Sequence, residues 1–231
     1  MAIYWLSENN HLFPPVHLAD QDGLLAIGGD LSPQRLLLAY SEGIFPWFGE
    51  DDPYLWWSPD PRFVLFPDEL RVSKSMRTYF NGQKFQVTFD RAFVQVMERC
   101  RDAYRKGQHG TWITPEMIEA YHALHLMGYA HSVEVWQGES LAGGLYGIAL
   151  GRIFFGESMF ASVSNASKFG FITLVKILKE RGFLLVDCQQ ETPHLGSLGA
   201  RPVARTTFLD ILRENRDYTT DVGNWGNWIN H

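Results

Sequence analysis

Apolar and polar positions follow two regimes along the chain. Over residues 1–70 the apolar residues are largely aromatic and sit among turn formers. Examples are His11-Leu12-Phe13-Pro14-Pro15, Gly28-Gly29-Asp30, Gly43-Ile44-Phe45-Pro46-Trp47-Phe48 and Trp56-Trp57-Ser58-Pro59-Asp60-Pro61-Arg62. One helix stands out there. Ser32-Pro33 supplies an N-cap and a first-turn proline, Leu36-Leu37-Leu38-Ala39-Tyr40 carries it, and Gly43 ends it.

From Ser73 the pattern becomes α+β. Residues 74–80 predict a short helix and 84–89 a strand; Asp90 then caps a helix over 91–105, and Thr114-Pro115 caps another running to about residue 127. Strands at 130–137, 140–150 and 152–160 are joined at Gly138-Glu139 and Gly151, which predicts an antiparallel meander. Asn165 or Ser164 caps a helix that Gly182 terminates, and 183–188 reads as a buried strand. A right-handed crossover places that strand parallel to 152–160. A last helix follows Thr206-Thr207. A meander entering a strand-helix-strand unit after two helices is the order of an acetyltransferase-like (GNAT) fold, an analogy of pattern that gives no function by itself. The expected architecture is α+β: a smaller, aromatic N-terminal α+β domain over 1–62 and a GNAT-like mixed sheet with helices over 63–231.

Composition narrows the class. With 231 residues, 45% hydrophobic and 20% charged, the chain can bury a sizeable core, which excludes wholesale disorder. No apolar run approaches the roughly 18 residues of a membrane span. Met1-Ala2-Ile3-Tyr4-Trp5 lacks the basic start of a signal peptide, so the expected compartment is the cytoplasm. Cys100 and Cys188 are too few for a disulfide framework and are expected to be reduced. The net charge of -6 conceals a division: residues 1–70 hold 2 Lys/Arg against 11 Asp/Glu, residues 71–106 hold 9 against 3, and residues 107–231 hold 9 against 12. The middle segment is a basic island. It reads either as a solvated helix face or as a phosphate contact, since screening confines such contacts to about 8–10 Å.

Carboxylates within the most apolar stretches are the strongest chemical signal. Strict alternation in Phe154-Phe155-Gly156-Glu157-Ser158-Met159-Phe160 places Phe155, Glu157 and Met159 on one face and Phe154 on the other. Asp187 and Gln189 share a face of the following strand. A buried, unpaired carboxylate costs several kcal/mol or shifts its pKa, so each needs either a hydrogen-bond network or a ligand. Phe171, Leu174, Val175 and Leu178 make an apolar helical stripe, read as core that can also wall a pocket. Trp47, Trp56, Trp57, Trp112 and Tyr121 neighbour Pro and Gly and are read either as packing or as platforms that stack bases. His122-x-x-His125 lacks a nearby third metal ligand, and Cys188 lacks an evident histidine partner. There is no Gly-x-Ser-x-Gly and no Walker loop.

These words together resemble the leucyl/phenylalanyl-tRNA–protein transferases. The matching stretches are Gly23-Leu24-Leu25-Ala26-Ile27-Gly28-Gly29-Asp30-Leu31-Ser32-Pro33, 43–48, 56–62, Gly110-Thr111-Trp112-Ile113-Thr114, 155–160, Asn165-Ala166-Ser167-Lys168 and Asp187-Cys188-Gln189, in the family's order. Residues 217–231 carry no matching motif. The resemblance implies transfer of Leu, Phe and less readily Met from aminoacyl-tRNA to the α-amine of proteins beginning with Arg or Lys, which marks them for degradation. It implies Asp187 and Gln189 as catalytic residues. Tyr40, Trp47, Trp112, Tyr121 and Glu157 fall around the terminal adenosine and the reacting centre, and Phe154 and Met159 in the amino-acid pocket. Leu145, Phe171, Leu174, Leu178 and Val186 are further assignments to that pocket. With Phe154 and Met159 on opposite faces, the pocket requires a bulge or must wrap the strand. An aminoacyl ester is already activated, so no cofactor or metal is expected. Lys74, Arg77 and Lys84 are the candidates for tRNA phosphates, and the expected state is a monomer without membrane contact. The alternatives are an acyl-CoA-dependent N-acyltransferase, whose Gly-rich pyrophosphate turn is missing from Ser162-Val163-Ser164-Asn165-Ala166-Ser167-Lys168, and a non-catalytic RNA-binding module.

Overall fold

The turn-rich N-terminal stretch folds into a small sheet. Its strands are β1 (Tyr4–Leu6), β2 (Leu24–Gly28), β3 (Phe45–Pro46) and β4 (Leu55–Trp57), in the order β1-β2-β4-β3, with helix α1 (Pro33–Ser41) between β2 and β3. The Ser32 hydroxyl accepts from the Arg35 amide and Pro33 opens α1, as its sequence predicts. The computed structural model describes residues 4–82, 84–103 and 111–229. Met1, Ala2 and Ile3, the expected helix end at Arg105, and Gly110 lie outside the described residues.

A seven-stranded mixed sheet forms the rest. Its elements are β5 (Arg62–Leu65), α2 (Lys74–Asn81), β6 (Gln86–Phe89), α3 (Phe93–Arg101), α4 (Pro115–Leu126), β7 (Ala130–Gln137), β8 (Ser140–Leu150), β9 (Ile153–Ala161), α5 (Ala166–Glu180), β10 (Leu185–Asp187), α6 (Pro193–Ser197), β11 (Arg201–Val203) and α7 (Arg205–Asn215). The strand order is β11-β5-β10-β9-β8-β7-β6. The β7-β8-β9 meander and the parallel β9/β10 pair match expectation. β5 and β11 do not appear in the sequence reading. They are three or four residues long, too short to show a period.

Three capping expectations are corrected. Asp90 has φ of 56° and does not cap α3; its carboxylate accepts from the Ser132 and Trp225 amides and pairs with His131. The α3 start is served instead by Glu134, which accepts from the Arg91 and Ala92 amides. Asn165 occupies the N-cap of α5 without a side-chain cap, its amide donating to the Tyr79 hydroxyl. α7 begins at Arg205, before the two threonines, and Asp60 accepts from the Arg205 amide.

The sheet separates two cores. One, on the α5 side, contains Leu145, Phe154, Phe171, Leu174, Leu178 and Val186. The other merges α3 and α4 with the N-terminal sheet through Tyr40, Trp56, Tyr121 and Phe155. The unmatched C-terminal residues also join the core. Trp225 is 1% exposed and stacks on His131 at 3.5 Å and on Trp228 at 3.8 Å.

Candidate active site

A break in the β8/β9 ladder shapes the site. Leu145 pairs with Met159 and Tyr146 with Ser158, but Gly147 pairs with Gly156, which leaves Glu157 as an extra residue. Such a bulge exchanges the faces of everything beyond it. Phe154 and Met159 therefore both pack on the α5 side, whereas Phe155 and Phe160 join the opposite core. The strict alternation expected for this strand is thereby corrected. Gly147 permits the bulge: a Cβ there would stand 2.2 Å from the Phe155 carbonyl oxygen and 2.6 Å from the Phe154 ring.

The displaced Glu157 becomes the centre of a polar cluster from three elements. Its Oε1 accepts from the Tyr40 hydroxyl of α1 at 2.7 Å and from Gln189 Nε2 at 2.8 Å, and its Oε2 accepts from the Tyr121 hydroxyl of α4 at 3.2 Å. The two tyrosine hydroxyls also meet in a very short contact. Burial pushes the Glu157 carboxyl up to about 7, against the three donors that pull it down and with a small upward push from Asp187. Burial, followed by the charge of Glu157, holds both phenols well above their ordinary range.

Asp187 is fully buried at the end of β10 and is met across the sheet by Arg62 of β5. Arg62 Nε and Nη2 reach the two carboxylate oxygens at 2.8 and 2.6 Å, and Nη1 donates to the Gly43 carbonyl at 3.1 Å. The guanidinium lies between the rings of Phe45 and Phe208, 4.7 and 4.8 Å from their centroids. Asp187 Oδ1 also accepts from the Gln189 amide at 3.0 Å. Gln189 has φ of 59°, a left-handed conformation that costs free energy in a non-glycine residue and persists where the surroundings fix it. The carboxylate thus shapes the turn that aims Gln189 at Glu157.

A cavity of about 510 Å³ opens over this cluster, within the range of small-molecule sites. Leu145, Met159, Phe171 and Val186 give it an apolar side, and Glu157, Asp187 and Gln189 a polar one. Trp47 and Trp112 line it and also wall a neighbouring cavity of about 220 Å³. Tyr40 and Tyr121 stand behind Glu157, fully buried. Phe154, Leu174 and Leu178 lie outside the lining, in the core beneath it. Lys74, Arg77 and Lys84 are exposed on α2 and the segment after it, away from the cavity.

Several readings of single residues change. Trp56 is fully buried, its indole N–H donating to the Gly28 carbonyl, so like Tyr121 it offers no face to a base. The His125 ring stacks on Phe93 and its Nδ1 donates to the Ala130 carbonyl. Cys188 lines the cavity, but burial and the adjacent Asp187 push its thiol up and keep it protonated. Arg62 was missed: a lone cation ahead of Phe63-Val64-Leu65 is the complement that an apolar-strand Asp187 demands, but nothing in the sequence brings the two together. Tyr146, Thr192 and His194 also line the cavity and carry no local signal, and Ser158 and Ser167 line it from within the stretches 155–160 and 165–168.

Family models for the leucyl/phenylalanyl-tRNA protein transferase and its N-terminal domain match residues 64–213 and 29–60. The chain belongs to this family. It is 55% identical over 215 residues to a leucyl/phenylalanyl-tRNA–protein transferase of Syntrophobacter fumaroxidans, covering 93% of this chain and 92% of that one. A Pseudomonas aeruginosa transferase of the same name is 57% identical over 215 residues, covering 92% and 95%. Among solved structures, L-PGS from Bacillus licheniformis matches 74% of this chain and 54% of its own with 16% identity and a TM-score of 0.39. A GCN5-related N-acetyltransferase from Kribbella flavida matches 74% and 61% with 11% identity and a TM-score of 0.38. No helix among the described residues of this family member is long and apolar enough to cross a membrane.

Proposed function

We propose that this transferase moves Leu, Phe and less readily Met from aminoacyl-tRNA to the α-amine of proteins that begin with Arg or Lys, acting as a monomer in the cytoplasm and marking them for degradation. The observation that carries the reading is one cavity with an apolar side beside a buried carboxylate cluster. The donor's side chain enters between Met159 and Phe171, where an apolar slot discriminates by only about 1–3 kcal/mol per methylene and so tolerates Leu, Phe and Met. Phe154, Leu174 and Leu178 back that slot. The terminal adenosine stacks on Trp47 and Trp112, while Lys74, Arg77 and Lys84 hold tRNA phosphates.

The ester is already activated, so the protein's task is to place an amine about 3 Å from the carbonyl. Gln189 spends its N–H on Glu157, leaving its side-chain carbonyl to hold the incoming amine. Asp187, tied to Arg62, positions Gln189. The carboxyl of Glu157, unlike the Arg62-paired Asp187, is left to complement the cationic acceptor residue. The deciding experiment incubates the protein with Phe-tRNA and an Arg-initiated peptide. Appearance of Phe-Arg-peptide is expected; an unchanged peptide with bound tRNA would leave only an RNA-binding role.

A further inference from the structure

The amine that attacks the ester must lose a proton, and the residues around the cavity differ sharply in their capacity to take it. An amide such as Gln189 is too weak a base to hold one. Asp187 is neutralised by Arg62, whose guanidinium holds both of its carboxylate oxygens. Cys188 is held as a thiol. His194 is neutral, since burial and then Lys168 lower its pKa, but its Nε2 is buried and has no hydrogen-bond partner that would pass a proton to it. Glu157 lines the cavity, stands 2.8 Å from the side chain proposed to hold the amine, and bears a carboxylate that pairs with no cation among the described residues.

We infer that Glu157 is the proton acceptor of the transfer reaction and that Tyr40 and Tyr121 set the pH at which it works. This rests on the transfer chemistry proposed above. The amine nitrogen's lone pair forms the bond to the ester carbonyl carbon, whose π electrons move to oxygen. The N–H proton passes to a Glu157 oxygen. The carbonyl re-forms, the carbon–ribose oxygen bond breaks with its electron pair on the ribose oxygen, and that oxygen takes the proton back from the Glu157 carboxyl. The products are an amide and a free ribose hydroxyl, with the carboxylate restored. A carboxyl poised near 7 suits both transfers, because a base works best with a pKa close to the operating pH. The groups facing it are Tyr40 from α1, Tyr121 from α4, the Arg62-paired Asp187 at the end of β10 and Gln189 just beyond it, with Tyr146 of β8 next to Tyr121.

The test is single-turnover transfer from Phe-tRNA to an Arg-peptide between pH 5.5 and 9. The wild-type rate should rise with pH along a limb containing the carboxyl near 7 and the acceptor amine at about 7.7–8.0. Glu157→Gln should lower the rate by about 10²–10⁴-fold and keep only the amine's limb, with Phe-tRNA affinity little changed. Tyr121→Phe and Tyr40→Phe each remove a donor to the carboxylate, which raises its pKa. They should shift the lower limb upward by roughly one pH unit, a displacement the acceptor amine does not share. A Glu157→Gln rate within threefold of wild type, or a limb unmoved in both tyrosine variants, overturns the role of Glu157 and leaves the reaction standing. A wild-type chain that transfers nothing overturns the reaction itself.

Discussion

Replacing Arg62 with Met would strip Asp187 of its partner and measure how firmly the turn beneath the cavity is held. The pair is bidentate at 2.8 and 2.6 Å, with Arg62 1% and Asp187 0% exposed, so solvent cannot compensate either charge. Breaking a pair buried to this degree costs about 3–5 kcal/mol. The stacking of the guanidinium between Phe45 and Phe208 is lost in the same step. Taking about 4 kcal/mol, and about 2–4 °C per kcal/mol for a chain of this size, Tm should fall by roughly 8–16 °C. Asp187→Asn, which leaves the cation unmatched, should cost a similar amount. The double variant lacks both charges and should recover about 3 kcal/mol relative to the sum of the single losses. Thermal and urea unfolding of the four proteins, with transfer rates measured on the same samples, gives the answer. Single losses below about 1 kcal/mol that simply add would refute the pair as the anchor of the Gln189 turn.

Met159→Ala should widen the apolar slot and raise the preference for Phe-tRNA over Leu-tRNA by about tenfold in kcat/KM; a constant ratio would place Met159 outside it. Changing Lys74, Arg77 and Lys84 together to Ala should raise KM for charged tRNA and reduce the slope of log K against log salt by about 2–3. An unaltered slope would remove those three residues from the interface. Trp225→Ala deletes a fully buried ring between His131 and Trp228 and should cost about 3–5 kcal/mol in unfolding assays while leaving kcat per folded molecule unchanged.

Local signals were readable in the sequence wherever the chain's own neighbours decide the structure. The Ser32-Pro33 start of α1, the Thr114 cap of α4 and the strands on either side of Gly138 and Gly151 all depend on residues within a few positions. Asp90 was misread because its partners, Ser132 and Trp225, are 42 and 135 positions away and draw its side chain from the helix it precedes. The carboxylates of the site show both sides of this limit. That Asp187 and Glu157 needed partners follows from the apolar runs around them. That the partners are Arg62 for one, and Tyr40, Tyr121 and Gln189 for the other, depends on topology. Family resemblance supplied the requirement that Phe154 and Met159 meet. The bulge at Glu157 supplied the means, which a period of two cannot express.

β5 lies between β10 and β11, so Arg62 meets its partner only after 125 further positions have been made. At a synthesis rate of about 5–20 residues per second, that interval lasts roughly 6–25 s. Within it the small N-terminal sheet can form, and the β7-β8-β9 meander once residue 161 has been made, while the cation waits unpaired and Gln189 does not yet exist. The reacting centre is therefore among the last parts of the molecule to close. A nascent chain, or one ended between residues 161 and 187, carries the aromatic walls and the carboxyl of Glu157 without the turn proposed to aim the amine. On the proposed mechanism, such a chain is unable to discharge an aminoacyl-tRNA onto a passing protein.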